Sequence, residues 1–488
     1  MERHIGLWRE EHDDTPEVAE LIIEGNHIEF YRRNTDVIFP HAYVGSDNDH
    51  RYKIFTNGEA EYGRYRTLDN VASCKTFFVL QQNCDYKKGL SIEGIVEASF
   101  VIPELIDWLD LKTVDWGATE DDELIAVENK IPNILLKAEL PKIEIYFETK
   151  PSFYNPDIDE RTTVSIGNQP RIKISYDEAV DVYVLRSDIR CIMQFFSLMI
   201  GHISDALDIR LSIQDQDLKS WLYINEDFSY NLRTIGTMDR PRTKLKNVQE
   251  KINMFFENWH NFYCDEKFEL VRRMYFEGNK RKDIYAQDIL VQYVRILEGY
   301  HLRITKDEQI ASNLDKDIKE MIFTDEGKAL FKPIFDKVKW SYNSKHAKSV
   351  ATWIASGFLG RTTLAQRLKL LDSQYFNIIE KNAEDVARLE KIPLPIEQDE
   401  DAIKGFDYYQ RIVDTRNYYS HYKADDKNIL NFTQMCNTIN VLKALIIMIL
   451  YTYMGMSNEE ARKIIIWDTE LHFQTMRLRK DGEKSNEE

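Results

Sequence analysis

Over the first 235 residues, apolar and polar positions alternate in short runs. Val18-Ala-Glu-Leu-Ile-Ile-Glu24 and His27-Ile-Glu-Phe-Tyr-Arg-Arg33 flank Gly25-Asn26 and read as a hairpin. A period of two places every second side chain on one face, and Gly-Asn accepts the backbone angles of a tight turn. The same pattern predicts strands over Lys75–Leu80, Gly94–Ile102, Lys142–Thr149, Arg171–Tyr176 and Val180–Leu185. A helix over Asp188–Ile203 follows, then strands at Ile209–Ile213 and Ser220–Ile224. Many short strands separated by turn residues predict an antiparallel β-sandwich or barrel.

Beyond residue 235 the period lengthens. Val248–Phe262 repeats apolar groups at helical spacing, and helical patterns dominate to about residue 476. The clearest are Ala286–Gly299, Ala347–Phe358, Thr363–Leu371, Asp401–His421 and Phe432–Met454. Pro393-Leu-Pro395 and the acidic residues after it mark an exposed loop. The predicted organisation is α+β: a β-rich domain (1–235), a helical connector (236–280), an all-α bundle (281–476) and a loose tail (477–488).

Composition sharpens this picture in three places. At 488 residues the chain exceeds one ordinary hydrophobic core. Its net charge of −18 opposes non-specific attraction to nucleic acid, so any RNA contact must come from local cations or from assembly. The candidates are Arg240, Arg242, Lys244 and Lys246; Arg272-Arg273; Lys280-Arg281-Lys282; Lys423; and Arg477, Arg479 and Lys480. For most such clusters the simpler reading is a solvated face. The five cysteines are widely spaced and form no C-x-x-C pair, which predicts free buried thiols in a reducing compartment and no zinc site. The N-terminus has no apolar signal core. The run Ala444–Met454 is shorter than the roughly 20 residues a bilayer requires. A cytoplasmic protein without membrane contact is expected.

The segment Asp414-Thr-Arg416-Asn417-Tyr-Tyr-Ser-His421-Tyr-Lys423 carries the candidate chemistry. On a helix, Asn417 and His421 lie one turn apart, and Arg416 adjoins them. Tyr409 and Ile412 fall on the Arg416 side, so the site should border a buried seam. Arginine offers a permanent charge in a fork that fits phosphate. Histidine exchanges protons near neutral pH. Asparagine can orient either partner. These parts suffice for metal-free RNA cleavage by the adjacent 2′-OH. The structural alternative is that Arg416 caps the helix or pairs with Asp414, with His421 an ordinary surface or core residue. A second pair, Arg295 and His301, sits far apart in helical angle and reads as structural, with Glu298 beside it near the bundle core.

Arg-Asn-x-x-x-His-Tyr late in a helical domain resembles the HEPN superfamily, and in particular its Apea-like branch. Asp288–His301 resembles the first helix of that branch, and Gly360–Leu371 its Arg-Leu-bearing middle helix. The resemblance covers about residues 270–475, and the β-rich half is similar to the domain that accompanies this branch in bacterial antiphage proteins. It implies an endoribonuclease in abortive infection, with two Arg–His motifs facing each other across a homodimer or within a homotetramer. Arg416 would contact the scissile phosphate, Asn417 would orient, and His421 would be acid or base. Arg272, Arg273, Lys280, Arg281 and Lys423 would contact RNA. Neither metal nor cofactor is called for, and the products would be 2′,3′-cyclic phosphate and 5′-OH ends. The expected partners are host RNA, with exposed loops such as those of tRNA the natural target, and a phage protein that triggers cleavage through the β-rich domain. The competing reading is a non-catalytic HEPN bundle kept for interaction or oligomerisation.

Overall fold

The computed structural model describes residues 2–10, 15–24, 27–32, 42–46, 50–56, 61–65, 68–83, 93–111, 114–118, 124–128, 133–136, 141–154, 163–216, 220–231, 241–280, 285–304, 324–337, 363–380, 408–421 and 428–467. The chain divides into two units, residues 1–261 and 262–488. The predicted helix Ala347–Phe358, the Pro393 loop and the C-terminal tail lie outside the described residues.

The first unit begins with β1 (Glu2–Glu10), β2 (Glu17–Glu24), β3 (His27–Arg32), β4 (Ala42–Ser46), β5 (His50–Thr56), β6 (Glu61–Tyr65) and β7 (Leu68–Asn83). Pairing runs β7-β3-β2-β1-β4-β5 and returns from β5 to β7, which closes an antiparallel ring. Alternation fills its interior: Trp8, Ala19, Leu21, Ile23, Ile28, Phe30, Tyr43, Tyr52, Ile54 and Val79 form one buried cluster. Trp8 lies across Gly45, where a Cβ would meet the indole at 2.2 Å, so the paired strand must carry glycine there.

From β7 the sheet continues as an open arm, β16-β15-β8-β13-β12-β11. These strands span Ser220–Ile224, Leu207–Ile213, Ile95–Val101, Thr163–Val180, Lys142–Tyr154 and Ile134–Leu136. The two-stranded pairs β9 (Val114–Ala118) with β10 (Leu124–Glu128), and β14 (His202–Ile203) with β17 (Tyr230–Asn231), stand apart among the described residues. Arg171 is fully buried in the arm. It donates to Asp208 Oδ2 at 2.7 Å and to the carbonyl oxygens of Asp208 and Ser99, so the buried cation is paired and hydrogen-bonded. Burial acts to raise the Asp208 pKa, but hydrogen bonds from Arg210 and Arg171 outweigh it and leave the carboxyl below its usual range.

The barrel-like sheet domain matches the pattern of alternation, with two corrections: the helix expected over Asp188–Ile203 ends at Ile200, with His202–Ile203 in β14, and one expected strand is helical. Val180–Leu185 is not a strand. β13 ends at Val180, and helix α2 occupies Val182–Ile200 after the short α1 (Leu105–Leu109). Asp181 caps α2, its carboxylate accepting from the amides of Tyr183 and Val184. Val182, Leu185 and Ile189 then fall on one buried helical stripe, which overrides the β-propensity of the Val-Tyr-Val run. From Cys191 to Ile200 the helix is buried on all sides. Trp259 Nε1 donates to the Cys191 carbonyl at 3.0 Å, and Phe256 meets Phe195 edge-on. Of the three cysteines whose burial is described, Cys191 is buried, Cys436 is half-buried and Cys264 is exposed; none of the three forms a disulfide.

After α3 (Leu245–Val248) come α4 (Ile252–Cys264), α5 (Glu266–Lys280), α6 (Ala286–Ile304), α7 (Asp325–Lys337), α8 (Leu364–Gln374), α9 (Tyr408–His421), α10 (Phe432–Tyr453) and α11 (Asn458–Trp467). Helix α6 is the hub of the second unit, packing on α5, α8, α9 and α10. Capping boxes start α8 (Thr363 with Gln366) and α10 (Asn431 with Gln434). By length and composition α10 is apolar enough to cross a membrane, yet it is mostly buried within the protein, as the core helix of a soluble domain would be.

Burial raises the carboxyl of Asp188 on α2 from 3.8 to about 6, against the opposing hydrogen bond from Tyr176 (2.7 Å). A pKa raised on folding gives stability that is complete below the unfolded value and is lost as pH rises through the folded one. The protein should therefore weaken between about pH 4 and pH 6. Asp188→Asn keeps an acceptor for Tyr176 and removes the buried charge. Urea denaturation should find this variant more stable than wild type by up to about 3 kcal/mol at pH 8 and indistinguishable at pH 4. Equal stability at both pH values would overturn the assignment.

Candidate active site on helix α9

Helix α9 is weakly amphipathic, and polar contacts as well as packing hold it in place. Tyr408, Tyr409, Ile412, Val413 and Thr415 form its buried face, as the helical spacing around Arg416 anticipates. Tyr408 Oη lies 2.6 Å from Thr438 Oγ1 on α10. Tyr409 Oη donates to Asp372 Oδ2 on α8 at 2.7 Å. Thr415 Oγ1 donates to the Arg411 carbonyl one turn back and accepts from the amide of Leu430 at 2.9 Å. Asp372 is fully buried and also accepts from the amides of Ile379 and Glu380. Burial pushes its pKa up, partly offset by those amides and the Tyr409 hydroxyl.

The polar face runs from Arg416 to His421. Arg416 Nη1 donates to Asn417 Oδ1 at 2.9 Å, and Nη2 meets Glu298 Oε2 of α6 at 3.4 Å. Arg416 Nε is buried without a hydrogen bond among the described residues. Asp414 is not the partner of Arg416: it accepts instead from Gln410 (2.9 Å) and Asn428 (2.5 Å). The asparagine therefore orients the guanidinium. His421 closes the helix on exposed surface, one turn beyond Asn417. One helix thus carries an oriented cation and, five positions on, an exposed imidazole, groups suited respectively to an oxyanion and to proton exchange.

The remaining sequence candidates are scattered. Arg295 is exposed and His301 is buried, so they are no functional pair. Arg272 is buried, with its guanidinium 3.8 Å from the centroid of Tyr263. Arg273 is exposed, and Lys280 pairs with Glu277 at 3.4 Å. Arg281, Lys423, Arg240 and the C-terminal cations lie outside the described residues. Arg242 is buried, and its backbone amide donates to the Ile200 carbonyl. Among the described residues no group of His, Cys, Asp and Glu could hold a metal ion. Sequence reasoning placed Glu298 near the bundle core without its partner Arg416, and missed Asp372. Glu298 precedes Arg416 by 118 positions and Asp372 precedes Tyr409 by 37. No local spacing signals pairs that far apart.

Two family models match the chain: ApeA N-terminal domain 1 over residues 3–259 and Apea-like HEPN over 291–460. The first alone spans more than half of the sequence, and the chain belongs to the ApeA family, with an HEPN domain of the nuclease type found in antiphage defence. No curated protein and no solved structure matches it.

Asp372 anchors the seam behind the site, and its removal should be costly. Asp372→Ala leaves two amides and a tyrosine hydroxyl without their acceptor, a loss of roughly 2–4 kcal/mol. Tyr409→Phe deletes one of those hydrogen bonds, for about 1 kcal/mol. Denaturant midpoints should order wild type, Tyr409→Phe and Asp372→Ala in falling stability. A fully stable Asp372→Ala would contradict the role given to this carboxylate.

Proposed function

We propose that this protein is a metal-independent endoribonuclease that cuts host RNA, with tRNA the favoured target, in an abortive antiphage response. The observation that carries the reading is the arrangement on α9, where Asn417 and Glu298 orient the Arg416 guanidinium while His421 stays exposed. In the reaction a base takes the proton of a ribose 2′-OH, and the 2′-oxygen bonds to the adjacent phosphorus. The P–O5′ bond then breaks, and an acid protonates the departing 5′-oxygen. The ends left are 2′,3′-cyclic phosphate and 5′-OH. Arg416 stabilises the charge that builds on the phosphorane oxygens, where a preorganised donor acts most strongly. His421 moves a proton.

A single Arg–His motif supplies one imidazole where base and acid are both needed. Two copies related by a two-fold axis supply both, so the active form is a homodimer or a dimer of dimers. Arg273 is the exposed cation of this set offered to RNA; Lys280 is paired with Glu277, and Arg272, stacked on Tyr263, contributes packing instead. A nuclease directed at its own cell's RNA must be quiet at rest. A phage protein acting on the β-rich domain, in the cytoplasm, would release it by favouring one of two pre-existing states.

Arg416→Ala and His421→Ala should each lower RNA cleavage by about 10²–10⁴-fold, with EDTA present throughout and folding unchanged. Gel analysis of RNA from infected cells, with end-group chemistry on the fragments, reads the result. Wild-type cleavage by either variant, or a requirement for a divalent cation, would sink the reading.

A further inference from the structure

Helices α5 and α6 form an antiparallel pair. Tyr293 Oη donates to Asn279 Oδ1, and Gln292 Nε2 donates to the Met274 carbonyl. Their outer faces leave an open groove of about 970 Å³. One wall is the stripe Leu270, Arg273, Met274, Glu277 and Gly278; the other is Tyr285, Asp288, Val291, Gln292 and Arg295. Antiparallel packing sorts their charges. Arg273 and Arg295 share the end away from the α5–α6 connection, and Glu277 and Asp288 share the end beside it. Both arginines are exposed, and neither has a hydrogen bond or ion pair among the described residues. That distinguishes them from Arg272, Arg303 and Arg416, which are all engaged. Tyr285 is 73% exposed at the acidic end, its ring unburied where tyrosine is usually covered.

We propose that this groove is a subsite for single-stranded RNA. It rests on the ribonuclease reading only for the direction in which the strand runs. The paired arginines take a backbone phosphate by charge and by their planar forks. Tyr285 gives a base a face on which to stack. Asp288 accepts hydrogen bonds from a base's exocyclic amino group, while Glu277 at the same end is already paired with Lys280. The basic end leads to the catalytic residues. Arg295 lies one turn before Glu298 on α6, and Glu298 contacts Arg416. From Tyr285 to Glu298 the helix rises about 20 Å, room for a short run of nucleotides beside the scissile bond. Arg295, set aside as half of an Arg–His pair, is thereby given to substrate binding.

The test measures binding, which needs neither a trigger nor turnover. A fluorescent single-stranded RNA oligomer is titrated with the full-length protein across a series of salt concentrations. Arg273→Ala and Arg295→Ala should each weaken binding by roughly fivefold and lower the salt slope by about 0.7. Tyr285→Ala should weaken it by about tenfold and remove the preference for single strands over duplex. Adenine- or cytosine-containing oligomers should bind better than oligouridylate, and Asp288→Ala should erase that difference. Lys463→Ala, an exposed cation on α11, should change nothing. All these positions are at the surface or half-buried, and thermal melts confirm that the variants fold. Binding and salt slope unchanged in both arginine variants, or no binding of single-stranded RNA by the wild type, would overturn the groove. Groove-dependent binding without cleavage under any trigger would instead keep the groove and count against the ribonuclease reading.

Discussion

The second unit turns on one buried carboxylate. Helix α9 carries Arg416, Asn417 and His421 on its polar side and has only a narrow apolar stripe with which to hold itself down. Asp372 supplies what the stripe lacks. It is fully buried on α8, takes the amides of Ile379 and Glu380, and through the Oδ2 that Glu380 uses also accepts from Tyr409 of α9. A hydrogen-bonded anion in a dry seam is directional in a way that leucine packing is not, because a misplaced donor leaves the charge unsatisfied. The register and rotation of α9, and with them the aim of Arg416 two turns beyond Tyr409, follow from that geometry.

The same logic governs the first unit. The ring of β1–β5 and β7 is filled by alternating side chains, but the large aromatic Trp8 fits only because Gly45 has no Cβ. In the open arm, Arg171 is tolerated at zero exposure because Asp208 and two carbonyl oxygens accept its hydrogen bonds. Both devices specify one pairing over its neighbours: a one-residue slip would set a side chain against the indole or strand the guanidinium.

Legibility followed the range of the forces. The hairpin of β2 and β3, the helices α6, α8 and α10, and the buried face of α9 beside Arg416 were readable because period and turn chemistry act within a few residues. Val180–Leu185 misled because β-branched and aromatic residues alternate there in strand fashion, while the decisive signal was a single cap, Asp181. Strands β1, β4 and β5 escaped notice because polar and charged residues interrupt their apolar alternation, as in Glu-Arg-His-Ile-Gly-Leu-Trp-Arg-Glu. Their inward residues become core only through ring closure. Asp372 and Glu298 were beyond reach for a related reason: each is an ordinary acidic residue in sequence, and its partner is supplied by the fold.

Glu298 also bears on whether Arg416 can serve a phosphate at all. A buried, short ion pair would sequester the guanidinium, since an incoming anion would have to replace a strong charge-assisted bond. The observed contact is long, 3.4 Å against the usual 2.7–2.9 Å, and both side chains keep some solvent access, 18% for Arg416 and 30% for Glu298. Pairs of this kind contribute little net free energy. Asn417 meanwhile holds Nη1, and Nε is shielded inside the helix packing. The guanidinium is thus oriented by two weak contacts and one buried edge, with Nη2 the group most easily given up. On the proposed function, a phosphate that takes Nη2 from Glu298 leaves the Asn417 bond in place, so the orientation survives the exchange. In an acidic chain, that is how a lone arginine can be kept aimed without being neutralised.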